Sequence, residues 1–306
     1  MGRRTALAAS AFLVIVGISL WAEGGKLQRA RPPSEDLRPR LPWASPFPPE
    51  EVSAASVILM DRKTGRVLFE RNAKERRPPA STTKMMTAVL ILEKGRLREK
   101  VRVREQAASV GGFSLGLKPG QVVSLKDLLA AILVGSANDA TVAAAEHIAG
   151  SEGRFVNLMN AKAAALGMKD TYFANPHGLD ENGHYSTAYD LALLARYALK
   201  NPTFAKLVSS QEVQVAITDG RTRKVVRRKV LRTHNKLLGR FRGADGVKTG
   251  YTEAAGPSLV ASARRGDLGL IAVLLNDPRR FTDAAFLLEY GFRTLMAERR
   301  GFGEKG

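Results

Sequence analysis

Hydrophobic positions along this chain form short apolar runs near its two ends and helix-spaced stripes between them. Residues 55–60 and 66–70 are apolar runs around a short turn ending in Gly65, the pattern of a β-hairpin. From Ser81 onward, Met85, Met86, Ala88, Val89, Leu90 and Leu92 predict a mostly buried helix. Pro78 and Pro79 stand before it, where proline can lead into a helix but not continue inside one. Residues 101–103 predict a short strand, and 124–133 a helix with Ser124 as N-cap and Asp127 at the third helical position. Residues 136–139 break the pattern and 140–149 resume it. The helix predicted over 155–166 stops at Gly167, and the one over 187–199 opens on Thr187 and Asp190, with Asn201-Pro202 after its end. The character then changes: 212–216, 224–231, 246–248, 258–263 and 268–275 predict strands, and 279–296 a closing helix.

Strands at both ends with helices inserted between them predict an α+β fold. Its expected form is an antiparallel β-sheet, completed by both ends of the folded part and flanked by helices, with an all-helical subdomain. Ahead of the folded part, Arg3 and Arg4 precede 18 uncharged residues at 5–22, which predicts an export signal. That run is just long enough to cross a membrane, and Leu20 fits poorly at the small position needed for cleavage after Ala22. A retained anchor is therefore favoured over a cleaved signal peptide at 1–22. Residues 23–50 hold seven of the 14 prolines with Arg29, Arg31, Arg38 and Arg40, an extended solvated linker. A catalytic-sized domain is expected at 51–298 and a short tail at 299–306. The leader places the bulk of the chain outside the cytoplasm, at the cell envelope.

Composition sharpens this. The apolar fraction of 44% suits a globular core, and the absence of cysteine excludes disulfides and thiolate metal sites. The net charge of +19 implies an acidic neighbour. The span 221–242 holds ten basic residues and no acidic one. This span reads either as a solvated pair of strands or as a contact for an anionic envelope polymer or lipid; with an export signal ahead of it, nucleic acid is not expected. The four histidines, His147, His177, His184 and His234, lack metal-ligand spacing, so no metal or cofactor is expected.

The candidate chemistry starts at Pro78-Pro79-Ala80-Ser81-Thr82-Thr83-Lys84. Ser81 and Lys84, three residues apart, share one helical face. A serine is a poor nucleophile until a base takes its proton, and a lysine amine is that base only when burial or another cation lowers its pKa. Alone, the pair reads more simply as an N-cap serine and a surface lysine. Two further stretches change this. Ser136 and Asn138 interrupt two apolar helices with a hydroxyl and an amide. Lys248, Thr249 and Gly250 offer a charge and a hydroxyl for a carboxylate, and a glycine that lets a ligand approach a strand closely.

In that order, S-x-x-K, S-x-N and K-T-G are the pattern of penicillin-binding proteins and class A β-lactamases. The chain resembles the low-molecular-mass penicillin-binding proteins, the serine-type D-alanyl-D-alanine carboxypeptidases, also through Asn175-Pro176-His177-Gly178-Leu179-Asp180, Ser186-Thr187-Ala188-Tyr189-Asp190-Leu191 and Tyr251-Thr252. The resemblance covers roughly residues 55–296. It implies a β-lactamase/transpeptidase-like fold and removal of the terminal D-alanine from peptidoglycan stem peptides through an acyl-enzyme on Ser81. Lys84 would be the general base, kept neutral by Lys248; Ser136 would relay the proton, and Asn138 would hold the substrate amide and also contact Lys84. Lys248 and Thr249 would bind the terminal carboxylate, with Gly250 giving access. The N–H groups of Ser81 and Tyr251 would form an oxyanion hole worth about 3 kcal/mol per donor. Arg279 and Arg280 are candidate helpers without a placed role.

β-Lactam antibiotics would acylate Ser81 and inhibit, because no E-x-x-L-N segment supplies a second base for their release. A β-lactamase and a D,D-endopeptidase acting on peptidoglycan cross-links are the alternative activities. Two departures stand out. Tyr251 occupies the position after K-T-G where some relatives have histidine. The β-rich domain and amphipathic helix that many relatives carry after the catalytic domain find no counterpart, so membrane attachment is expected from the N-terminal segment.

Overall fold

The protein is described here by a computed structural model covering residues 49–303. The leader at 1–22, nearly all of the linker at 23–50 and the last residues of the tail lie outside the described residues. β1 (Ser56–Asp61) and β2 (Val67–Arg71) form the expected hairpin. Its turn is fixed by Asp61 Oδ1, which accepts from the backbone N–H groups of Lys63 and Thr64. Then come α1 (Lys84–Lys94), β3 (Lys100–Arg102), α2 (Glu105–Ser109), β4 (Val122–Ser124), α3 (Leu125–Leu133), α4 (Asn138–Ala149) and α5 (Glu152–Ala165). α6 (Ala188–Ala198) and α7 (Pro202–Val208) precede β5 (Glu212–Thr218), β6 (Val225–Arg232), β7 (Ala244–Gly250), β8 (Ser258–Arg265) and β9 (Leu268–Leu275). α8 (Arg280–Gly303) closes the chain, running past the predicted end at 296.

The main sheet is antiparallel and five-stranded, in the order β2-β1-β9-β8-β7. The first hairpin thus pairs with the last strand, as expected from strands at both ends. Side chains alternate between the two faces of each strand, and in β1, β8 and β9 both faces are buried. Val57, Leu59, Leu270 and Leu274 pack with Leu287, Leu288 and Phe292 of α8. Ile58, Met60, Ile271 and Val273 pack with Met85, Met86, Leu129 and Leu191 from the helical side. Double-sided burial is why these strands read as continuous apolar runs, each fully buried Leu, Ile or Met contributing about 1.5–3 kcal/mol.

The helical part carries a second antiparallel sheet, β3-β4-β5-β6, which the periodicity did not assemble. β5 and β6 were legible as strands, but β4 is three residues long and anchors them through Val122 and Val123. Two predicted caps are in place: Ser124 Oγ accepts from Asp127 N, and Thr187 Oγ1 from Asp190 N. Two boundaries shift. Asn201-Pro202 also starts a helix, Asn201 capping the N–H groups of Thr203 and Phe204 with Pro202 in the first turn. The helix predicted from 155 begins at Glu152, capped by Ser151.

Candidate active site

The helix expected from Ser81 becomes regular only at Lys84. Ala80–Thr83 is a 3-10 turn leading into α1, whose first residue is Lys84. In a 3-10 turn, residues i and i+3 eclipse, which stacks the two side chains. Lys84 Nζ is 2.8 Å from Ser81 Oγ, and it donates a second hydrogen bond to the His177 carbonyl. Lys84 is wholly buried. Burial first, and the charge of Lys248 second, push its pKa well below the ordinary lysine value. A neutral amine at this place donates to His177 and still offers its lone pair to the serine hydroxyl.

Ser136 sits in the connection from α3 to α4 with a left-handed backbone, φ +57°, and its Oγ accepts from Lys248 Nζ at 3.0 Å. Ala80, next to the nucleophile, is also left-handed at φ +49°. Such conformations cost about 1–3 kcal/mol in non-glycine residues and cluster at functional sites. Lys248, buried on β7 at the edge of the main sheet, also donates to the Thr249 carbonyl, and burial pulls its pKa down to about 7. K-T-G therefore ends an edge strand rather than forming a turn. Gly250 lies against the nucleophile: a Cβ there would stand 3.1 Å from Ala80 Cβ and 3.3 Å from Ser81 N. Thr249 is nearly buried, whereas Tyr251 is 61% exposed and projects its ring into solvent.

Asn138 is the first residue of α4 rather than part of a loop. Its N–H donates to Phe113 O and its Nδ2 to Gly111 O, both at 2.7 Å. Among the described residues it forms no hydrogen bond with Lys84, unlike the contact the resemblance implied. Arg279 is spent on Glu51 O, Ser53 and Asp283 at the start of α8. Arg280 acts on His234, helping to lower its pKa behind burial and Lys248.

Sequence reading missed two supports of this geometry. The first is Asp139, a buried carboxylate accepting from the N–H groups of Leu115, Leu117 and Ala140 and from Ser114 Oγ. It fixes the 113–117 loop against Asn138. Only its place directly after S-x-N hinted at this. The second is the 175–184 segment, which carries the carbonyl for Lys84. Thr87 Oγ1 donates to Pro176 O, and Asn175 Oδ1 accepts from Gly178 N. His184 Nδ1 accepts from Ala174 N while its Nε2 bonds Thr83 Oγ1 at 2.9 Å. Burial, and the neighbouring His177, lower the His184 pKa to about 4. Asp180 reaches across to Thr252 Oγ1 and Ala254 N, tying this segment to the chain after β7. His184 through its ring and His177 through its carbonyl thus hold the backbone and side chains around Lys84 in place.

Comparisons with known proteins point to one family. A family model described as D-alanyl-D-alanine carboxypeptidase matches residues 44–279. The chain is 45% identical over 226 residues to the D-alanyl-D-alanine carboxypeptidase DacF of Bacillus subtilis, a match covering 72% of this chain and 57% of that protein. It is 36% identical over 280 residues to DacC of Escherichia coli, covering 83% and 68% respectively. The chain thus spans about three fifths of the length of these curated relatives. Among solved structures, the DD-transpeptidase of Streptomyces K15 is similar with a TM-score of 0.75 at 30% identity, covering 79% of this chain and 98% of that one. The D-alanyl-D-alanine carboxypeptidase DacD of Francisella tularensis is similar with a TM-score of 0.72 at 32% identity, covering 79% and 71%.

Proposed function

The chain belongs to the D-alanyl-D-alanine carboxypeptidase family, and on that premise we propose that it removes the terminal D-alanine from peptidoglycan stem peptides as a serine peptidase. One observation carries the reading: a fully buried Lys84 amine 2.8 Å from Ser81 Oγ, with Lys248 and Ser136 bonded beside it.

Ser81 Oγ attacks the carbonyl between the two D-alanines as Lys84 accepts its proton. The substrate's terminal carboxylate rests on Lys248 and Thr249. The backbone N–H groups of Ser81 and Tyr251 stabilise the oxyanion, and Gly250 keeps the path to Ser81 N clear. Ser136, bonded to Lys248, passes the proton to the leaving D-alanine nitrogen. Asn138 orients the acyl-side amide. Water then hydrolyses the Ser81 ester, with Lys84 again as base.

β-Lactams enter the same chemistry and stop at the ester. The carboxylates nearest on the 175–184 segment are already engaged, Asp180 with Thr252 and Glu181 with Asn175. Neither serves as a second base to free the adduct. The decisive experiment is mass spectrometry of the intact protein after benzylpenicillin. A stable adduct of one penicillin on Ser81, absent in Ser81→Ala, is expected; rapid turnover of penicillin instead would refute this reading in favour of a β-lactamase.

The same reading places the enzyme outside the cytoplasm, in the cell envelope, with the leader holding it there. Among the described residues, no helix is long and apolar enough to cross a membrane. The basic span 221–242, largely exposed on β6 and its flanks, supports attachment to an anionic wall polymer. Reversing Arg223, Lys224 and Arg228 together is expected to weaken binding to wall fragments; unchanged binding would remove this partner.

A further inference from the structure

Two stretches of chain hold Asn138 and Lys84 in place, and both touch one carboxylate outside the site. The first is 106–113, where Gly111 O and Phe113 O accept from Asn138 Nδ2 and Asn138 N. The second is 175–184, where the His177 carbonyl accepts from Lys84 Nζ. They come together at Gly112, where a Cβ would stand 2.7 Å from Asn138 Nδ2 and 3.7 Å from Leu179 Cδ2. The shared carboxylate is Glu152, the first residue of α5.

Glu152 Oε2 accepts from Gln106 Nε2 at 2.7 Å, and its Oε1 lies 3.5 Å from His177 Nε2. The other ring nitrogen fixes the tautomer. Leu179 N–H donates to His177 Nδ1 at 3.2 Å, so a neutral ring carries its proton on Nε2, facing the carboxylate. The ring is thus held from both sides, and the same residue supplies the carbonyl for Lys84. The His177 and Glu152 side chains are 10% and 20% exposed, so water competes little for their contact. Glu146 is buried, and its Oε2 has no partner among the described residues. Burial raises its pKa, and the Glu152 charge adds to this against the pull of Arg104. Of the two carboxylates, Glu146 is therefore the one pushed towards its neutral form.

We propose that Glu152 is a positioning residue for the reaction. It ties the 106–113 and 175–184 stretches together and so sets Asn138 and Lys84 at one spacing around Ser81. The inference rests on the reading above for what those two side chains do. Through His177, Glu152 bears on the base, and hence on kcat. Through Gln106 it bears on the amide that orients the substrate, and hence on KM. A carboxylate in the first turn of a helix also steadies that helix by its charge alone. Glu152→Asp separates the two roles: it keeps the charge at the start of α5 but is one carbon shorter, and cannot meet Gln106 and His177 together. Glu152→Ala removes both the charge and the two contacts.

The test follows cleavage of a D-alanyl-D-alanine pentapeptide by the full chain and both variants. Rates are taken per Ser81 titrated with penicillin, so misfolded protein does not count. Both variants are expected to lose kcat/KM by about fivefold or more, through a lower kcat and a higher KM together. Glu152→Asp carries the weight, because a residue that only steadied α5 would leave its kinetics alone. A smaller loss in either variant overturns the proposal, and so does a loss confined to kcat or to KM. A wild-type chain that takes no penicillin on Ser81 and leaves the pentapeptide whole removes the carboxypeptidase reading, and this one with it.

Discussion

Lys84 Nζ stands 2.8 Å from Ser81 Oγ with no part of the lysine open to solvent. A cation at that place would be held without water around it, which pulls the amine pKa well below the ordinary lysine value and, on the proposed mechanism, fits it to accept the Ser81 proton. Lys84→Arg keeps the side chain long and basic but fixes the charge, since a guanidinium does not deprotonate. Acylation by a fluorescent penicillin is expected to slow by about 10²–10⁴-fold. Acylation at the wild-type rate would mean that Lys84 is not the base.

The second buried lysine makes a prediction about stability. The Lys248 pKa is about 7 in the fold and about 10.4 in the unfolded chain. Between these values the unfolded chain binds more protons, so this group makes stability rise with pH. Its penalty is full below pH 7 and fades towards pH 10. Lys248→Met removes the titration. Its melting temperature relative to wild type is therefore expected to be most favourable at pH 6 and to decline steadily up to pH 10. A difference independent of pH would show that Lys248 is not held out of water. Turnover of peptide substrate should be lost in the same variant.

His184 acts on the acid side. It is neutral in the fold down to about pH 4, whereas the unfolded chain takes up its proton near pH 6.5. Stability from this group is present above pH 6.5 and is lost as the pH falls to 4. Protonation would also turn Nδ1 from acceptor to donor against the Ala174 N–H. His184→Ala is expected to unfold at lower temperature at pH 7 and to show a flatter decline between pH 6.5 and 4. Thermal melts across that range check it; an unchanged acid limb would argue against the buried neutral ring.

Gly178 is the tightest contact behind the nucleophile. Its φ is +86°, and a Cβ there would stand 1.9 Å from the Ala80 carbonyl oxygen. Gly178→Ala must shift the 175–184 segment, and with it the His177 carbonyl that holds Lys84. A destabilisation of about 2 kcal/mol or more is expected, together with acylation slowed at least about tenfold. Gly183→Ala, also at positive φ but with open space around it, separates the two effects: stability falls and acylation holds.

The sequence disclosed what depends on residue type and period. The hairpin at 55–70, the helix caps at Ser124 and Thr187 and the three motifs around Ser81, Ser136 and Lys248 were all readable, because alternation, capping and motif pattern are local. It could not disclose what depends on approach through space. β4 is too short to show a period, so the sheet it joins stayed hidden. The 3-10 turn at Ser81 and the left-handed Ser136 arise from packing rather than propensity. Nor does any local pattern announce that a histidine would matter for its carbonyl, or that Asp139 would gather four donors.

The strand order has a temporal consequence. Proteins are made N-terminus first, so Ser81 and Lys84 exist long before Lys248 and β9 do. β1 has only β2 beside it until β9 arrives to fill the gap next to β8. Lys248, whose charge adds to burial in lowering the Lys84 pKa, stands on β7 and acts there only once that late strand is seated, a step that long-range pairing makes slow. On the proposed mechanism, a partly synthesised chain therefore carries Ser81 and Lys84 without the Lys248 that completes their site.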